Sequence, residues 1–242
     1  MSPHRIAALA AVAGLLVAPG AARADGPDEC SGFGPLKDRP VLALARVRGA
    51  KPRSYFVKGA SAAEGCPAAA EACRDRSYLV PGDAVIAGTV RGAFTCVDYP
   101  GAEGADRAGW MASADLRPEP APPVSAPDWP GRWRRDEADI TIRPADGKRL
   151  LIHGDATFGA HDPDRVKRGG VNVGEIAGRA APDGAGLAFD MRSDTVSLPV
   201  EQGGADECKV WMRRLGPYLL VSDNRNCGGM NVSFDGIYRR AP

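Results

Sequence analysis

Along most of the chain, apolar and polar side chains alternate in short runs closed by turn formers. This is the period of two expected of strands with one buried face. Before residue 118 the runs cover residues 41–47, 54–57, 77–80, 84–90, 93–99, 109–111 and 114–116. Pro81-Gly82-Asp83 and Arg91-Gly92 mark turns between them, because Pro and Gly supply the backbone angles that turns need. Short strands at regular spacing predict a small barrel. From residue 129 the alternation is clearer. In Asp139-Ile140-Thr141-Ile142-Arg143 the apolar residues alternate with polar ones, and Ala145-Asp146-Gly147 turns the chain. Residues 149–158, 171–180, 187–191, 195–200, 208–212, 218–222 and 230–234 continue the series. In the last of these Met230, Val232 and Phe234 share one face, and Asn231, Ser233 and Asp235 share the other. About eight antiparallel strands without a convincing helix favour a closed barrel, since closure leaves no exposed edge. The predicted class is all-β, a small N-terminal barrel followed by a closed antiparallel barrel.

The two halves meet at a proline-rich joint. Residues 117–127 hold five prolines, and such a stretch is stiff, extended and short of backbone donors. It reads as a linker over residues 119–128, between domains of residues 25–118 and 129–242. At the start of the chain, the weakly basic residues 1–5, the apolar run 6–17 and Ala22-Arg23-Ala24 have the form of a secretory signal peptide. It covers residues 1–24 and is cleaved near Ala24. The apolar run is about a dozen residues, whereas a membrane-spanning helix takes about 20. Asp25 rather than Cys follows the cleavage site, so no lipid anchor is expected. The expectation is a monomer in the periplasm or outside the cell, with no transmembrane segment. In such a compartment an even number of cysteines reads as disulfides. Cys208 and Cys227 both follow the linker and pair across a C-terminal hairpin. Cys66 and Cys73 flank a small-residue loop that they can clip, which leaves Cys30 for Cys96, although other pairings of these four stay open.

Composition agrees with the pattern. Gly 30 and Pro 21 in 242 residues exceed the usual combined share of about 12%, and both residues disfavour helix interiors. The formal net charge is +1. Residues 25–118 carry 12 basic and 12 acidic side chains, and residues 129–242 carry 17 and 16. Neither half has the basic surplus of an electrostatic nucleic-acid binder.

Tyr78-Leu79-Val80-Pro81-Gly82-Asp83, the strand pair around Gly92, and Gly109-Trp110 with Leu116 downstream resemble a bacterial SH3-like domain of exported proteins. The likeness covers about residues 40–118, with an insertion carrying Cys66 and Cys73. It implies binding to cell-wall peptide or to a protein partner rather than catalysis. On that reading Tyr78, Tyr99 and Trp110 line a groove, while Phe94 belongs to the core. Trp129-Pro130-Gly131-Arg132-Trp133 resembles the Gly-x-Trp opening of lipocalin-like (calycin) barrels, in which the Trp plugs one end. The tail from Leu219 to Arg239 is similar to the closing hairpin of small secreted bacterial barrels, including lysozyme-inhibitor-like ones.

Chemical motifs are sparse. Beyond the signal peptide the only histidines are His153 and His161, and the chain contains no H-E-x-x-H, G-x-S-x-G or phosphate-binding G-x-x-x-x-G-K-[ST] sequence. With every cysteine assigned to a bridge, a Cys–His nucleophile is not expected. His153 and Asp155 share a strand face, and His161-Asp162-Pro163-Asp164 lies nearby. Together they are the candidate centre of a metal-dependent hydrolase, against the plainer reading of a solvated strand face and a polar turn. Arg134-Arg135, Arg165 to Arg168 and Arg213-Arg214 could form a basic patch, or simply solvated surface. The loop from Asp223 through Asn224 and Asn226 to Gly229 is polar, glycine-containing and fixed by the Cys227 bridge. Such preorganisation suits a protein-binding or inhibitory site. The leading expectation is a non-catalytic, cofactor-free exported binding protein that recognises a wall polymer, a peptide or an exported protein. The runner-up is an inhibitor of a wall-degrading enzyme such as lysozyme, acting through the Cys227 loop.

Overall fold

The computed structural model describes residues 29–101, 106–192 and 197–242, so the expected signal peptide lies outside the described residues. The N-terminal sheet is built from β1 (Ala43–Val47), β2 (Ser54–Val57), β3 (Arg74–Leu79), β4 (Ala84–Arg91), β5 (Phe94–Tyr99), β6 (Arg107–Ala112) and β7 (Leu116–Glu119). All neighbours are antiparallel, in the order β3-β2-β6-β5-β4-β1-β7. Gly82 and Gly92 have φ of 94° and 54°, values that side-chain-bearing residues adopt at a cost. The Gly92 turn sets the register of the β4–β5 hairpin, and the Gly82 turn carries the chain from β3 at one edge to β4, between β5 and β1. The last strand starts later than the pattern suggests. Ser113–Asp115 forms a 3₁₀ turn, and β7 carries Pro118 into the sheet opposite Ala45. Proline is tolerated there because β7 is an edge strand.

The second sheet contains β8 (Gly131–Arg135), β9 (Ala138–Pro144), β10 (Leu150–Phe158), β11 (Asn172–Ala180), β12 (Gly186–Met191), β13 (Ser197–Leu198), β14 (Cys208–Leu215), β15 (Tyr218–Asp223) and β16 (Gly236–Arg240). The order β11-β10-β9-β8-β16-β15-β14-β12-β13 is antiparallel throughout and nearly closes into a barrel. Where β11 meets β12, Gly178 lies against the Phe189 ring, so close that a Cβ there would stand 2.4 Å from it. Large apolar side chains fill the interior, among them Trp129, Trp133, Ile140, Phe189, Phe234 and Tyr238. Trp133 donates its indole N–H to the Trp129 carbonyl at 3.1 Å. The Arg214 and Arg240 guanidinium groups lie 4.2 and 4.7 Å from the Trp133 ring. Burial, together with neighbouring Arg240, lowers the Arg214 pKa to about 10.

Three parts of the barrel differ from the sequence expectation, the first being β8, since Gly131–Arg135 pairs with β9 where the expected strands began only at Asp139. The polar turn at His161 continues into the helix α1 (Pro163–Lys167), because the Asp162 carboxylate accepts from the Asp164 and Arg165 amides. Residues 230–234 form no strand. Asn231 has φ of 66°, Met230 is 79% exposed, and the final strand is β16. The Asp223 carboxylate satisfies this segment instead, accepting from the Phe234 amide at 2.5 Å and from the Ser233 hydroxyl at 3.2 Å. Val232 and Phe234 still face the core, so the alternation identified the buried side correctly without a ladder to hold it.

All six cysteines are bridged, as Cys30–Cys96, Cys66–Cys73 and Cys208–Cys227. Three disulfides fit an oxidising compartment, and no helix among the described residues is long and apolar enough to cross a membrane. The two sheets also share a cluster. Leu36, Leu42, Leu44 and Ile86 pack on Leu215, Tyr218, Leu220 and Ile237.

Candidate functional site

The outer face of β2 and β3 carries the most prominent exposed aromatic surface. Tyr55 stands directly opposite Tyr78 in the register, with ring centroids 5.7 Å apart and planes at 61°. Tyr78 is 41% exposed. The Arg53 guanidinium lies 4.4 Å from the centre of the Tyr78 ring, and the Arg74 group lies 4.9 Å from that of Tyr55. A hydrogen bond to Tyr55 and the nearby tyrosine hydroxyls raise the Arg53 pKa further. Arg74 is paired with Glu71 at 2.6 Å. β3 is the terminal strand of its sheet, so its outer backbone edge has no sheet partner. Tyr55 and Arg53 were not singled out from the sequence. Their signal was the register itself, since a strand of four residues gives too short a pattern to say which face is wet.

The other two aromatic candidates do not join this surface. Trp110 is 1% exposed and packs with Phe94 and Cys96 beside the Cys30 bridge. It is core because β6 lies inside the sheet and its Trp110 stands opposite Cys96. Tyr99 is half-buried against the separate cluster that contains Phe56 and Val97.

In the Cys227 loop, the polar side chains are hydrogen-bonded within the protein. Asp223 accepts from the Arg225 and Phe234 amides, and Asn224 bonds the Lys209 amide and the Glu207 carbonyl. The Asn226 amide donates to the Ala205 carbonyl at 3.1 Å, while the residue remains exposed. Gly229 donates to the Val173 carbonyl at 3.0 Å, and Gly228 bridges Gly174. The loop therefore seals the barrel beside β11.

His153, Asp155 and His161 do not converge. His153 sits 3.4 Å from Asp155 and 3.6 Å from Glu175, all three more than half exposed, whereas His161 turns to Asp136 at 2.8 Å. Among the described residues, no three His, Cys, Asp or Glu side chains are grouped to hold a metal ion. The arginines proposed for one basic patch are also dispersed. Arg134 pairs with Asp139, Arg213 donates to the Pro40 carbonyl, and Arg214 donates to the Gly216 carbonyl.

A cleft of about 750 Å³ lies between the two sheets, walled by the Ser31–Pro35 segment and floored by Asp98. Asp98 is 8% exposed. Burial first, and then the Asp106 charge, push its pKa up to about 7. No protein-family model, curated protein or solved structure matches this chain. The functional reading therefore rests on its own geometry.

Proposed function

We propose that the protein is a non-catalytic exported binding protein. Its N-terminal, SH3-like sheet recognises a carboxylate-bearing wall peptide or polymer through Tyr55, Tyr78 and Arg53. The calycin-like barrel is the body on which that sheet is mounted. The observation that carries this reading is the Tyr55–Tyr78 pair, half-buried Tyr55 against exposed Tyr78 on a terminal strand pair, under a guanidinium that has no carboxylate partner among the described residues. Aromatic faces offer apolar contact at small entropic cost, and an arginine beside them supplies a forked donor for a carboxylate. The free edge of β3 adds backbone donors and acceptors for an extended chain. Export is supported by the sequence of residues 1–24 and by the three bridges.

Cosedimentation of the purified protein with insoluble peptidoglycan tests the reading. The intact protein is expected to pellet with the polymer. Tyr78→Ala and Arg53→Ala are each expected to weaken binding about tenfold, the size of a modest interface hot spot. Unchanged binding by the double variant, or no binding by the intact protein, would overturn the assignment.

A further inference from the structure

In the N-terminal sheet, Leu44 stands opposite Ile86, Ile86 opposite Asp98, and Asp98 opposite Ala108. Leu44 and Ile86 from this cross-strand row pack on Leu220 and Ile237 of the barrel. The row ends on the edge strand at Glu119, which is paired with Arg46, and Asp98 is its single interior charge. Its carboxylate makes no hydrogen bond or ion pair with any described residue, although it is more than nine-tenths buried. A buried carboxylate without a partner is costly and rare in native proteins.

The side chain is aimed into the cleft, where its Oδ1 lies close against Gly32. Gly32 has φ of 115° and no Cβ to close that approach. The wall it belongs to is pinned at both ends. Cys30 is bridged to Cys96 in β5, and the Leu36 amide donates to the Ser222 hydroxyl at 3.0 Å. Two of the other acids around the cleft are already engaged. Asp223 accepts from the Phe234 amide, and Asp235 accepts from the Asp223 amide and pairs with Arg225 at 2.7 Å. Asp106 is exposed at the rim, where the Arg239 charge acts against the upward push of burial on its pKa. Four carboxylates thus surround the opening against one lining arginine, Arg225, which is already paired. The remaining lining includes the apolar Phe33, Val221 and Ile237.

We propose that this cleft is a binding site for an organic ammonium group on an apolar stem, with Asp98 as counter-ion and Phe33 and Ile237 along the stem. A metal ion would need several converging oxygen ligands, and among the described residues no three acidic or histidine side chains are grouped in that way. An ammonium needs a single charged partner and neutral acceptors beside it, and the surrounding acids set a favourable field. The site is remote in role from the Tyr55–Tyr78 surface and does not depend on it.

The unbound carboxylate is partly protonated at neutral pH. Binding a cation therefore competes with one proton, and affinity falls about fivefold from pH 7 to pH 6 and about tenfold per unit below that. Asp106, Asp235, Asp223, Arg225 and Arg239 are the charged groups facing this region. Burial also raises Asp106, against the pull of Arg239, and raises Asp235.

The experiment uses the disulfide-bonded mature chain titrated with n-pentylammonium chloride at pH 8 and followed by amide NMR. The expected result is saturable shifts at Gly32, Phe33 and Gly34, with n-pentanol producing none. Asp98→Asn should weaken binding at least tenfold while sacculus binding is retained. If that variant fails to fold, the pH dependence of the intact protein decides the matter, since a drop of about fivefold from pH 7 to pH 6 identifies the buried carboxylate. Absence of saturation at millimolar amine, equal binding of pentanol, equal binding by Asp98→Asn, a pH-independent affinity or displacement of the amine by calcium would each overturn the proposal.

Discussion

At the scale of single residues, Asp98 places a carboxylate where its neighbours in the sheet are apolar, and this has a measurable consequence for stability. Its pKa rises from 3.8 to about 7 on folding. A raised value means that the folded state holds its proton more tightly than the unfolded chain. The stabilisation associated with the neutral carboxyl is therefore fully present below about pH 4 and is lost as pH rises through about 7. At about 1.4 kcal/mol per unit the loss amounts to about 4 kcal/mol. Asp98→Asn keeps the group neutral at every pH. Its urea midpoint should exceed that of the intact protein at pH 8 and converge with it at pH 4, and equal midpoints at pH 8 would contradict the burial argument. The residue was not visible as special in the sequence. Phe94, Cys96 and Asp98 share one parity while Thr95, Val97 and Tyr99 share the other, and both parities are buried. Trp110 illustrates the converse difficulty, since a large aromatic beside a turn-rich segment reads equally as groove or core until its neighbours are known.

At the scale of elements, most strands were legible because their sequences alternate, and the departures have local causes. β15 is apolar at consecutive positions because Leu219 and Val221 face the barrel interior, while Tyr218 and Leu220 face the other sheet. Residues 230–234 have the alternation of a strand and none of its pairing, because side-chain acceptors at Asp223 replace the ladder. The bridge Cys208–Cys227, paired as the spacing suggested, holds that segment across 19 residues. Replacing both cysteines by serine should cost about 3 kcal/mol on a loop-entropy basis. It should also speed hydrogen exchange at the Gly229 amide, which bonds the Val173 carbonyl. Unchanged exchange there would show that the bridge does not seal the barrel. The β11–β12 seam is more sensitive to added volume. Gly178→Ala would put a Cβ 2.4 Å from the Phe189 ring, an overpacking cost of about 1–3 kcal/mol. Combining it with Phe189→Leu should recover part of the loss, which thermal melts of the single and double variants would reveal.

At the scale of the whole molecule, a proline-rich stretch suggested two modules on a stiff tether, and the contacts across the joint bear directly on how they behave. The stretch is itself fastened. Pro118 is in β7, Val124 packs against the barrel core, and Arg240 donates to the Asp128 and Pro130 carbonyls. Leu44 closes against Gly216, Arg213 reaches the Pro40 carbonyl, and Arg239 donates to the Pro100 and Gly101 carbonyls. A buried cluster shared by both sheets makes each sheet's stability depend on the other. The intact protein should therefore unfold in one transition, with calorimetric and van't Hoff enthalpies in agreement. Leu220 is fully buried at the centre of the shared cluster. Leu220→Ala should cost about 2–5 kcal/mol. Leu220→Asp, which also places a charge in the seam, should split the melt into two. The cleft lies in the same seam, so an ammonium ligand bound at Asp98 should raise the temperature of the single transition in the intact protein. In the split Leu220→Asp protein the same ligand should shift neither step, because neither sheet alone supplies both Asp98 and Ile237. A single unperturbed transition in Leu220→Asp would show that the two sheets are held together by something other than this cluster.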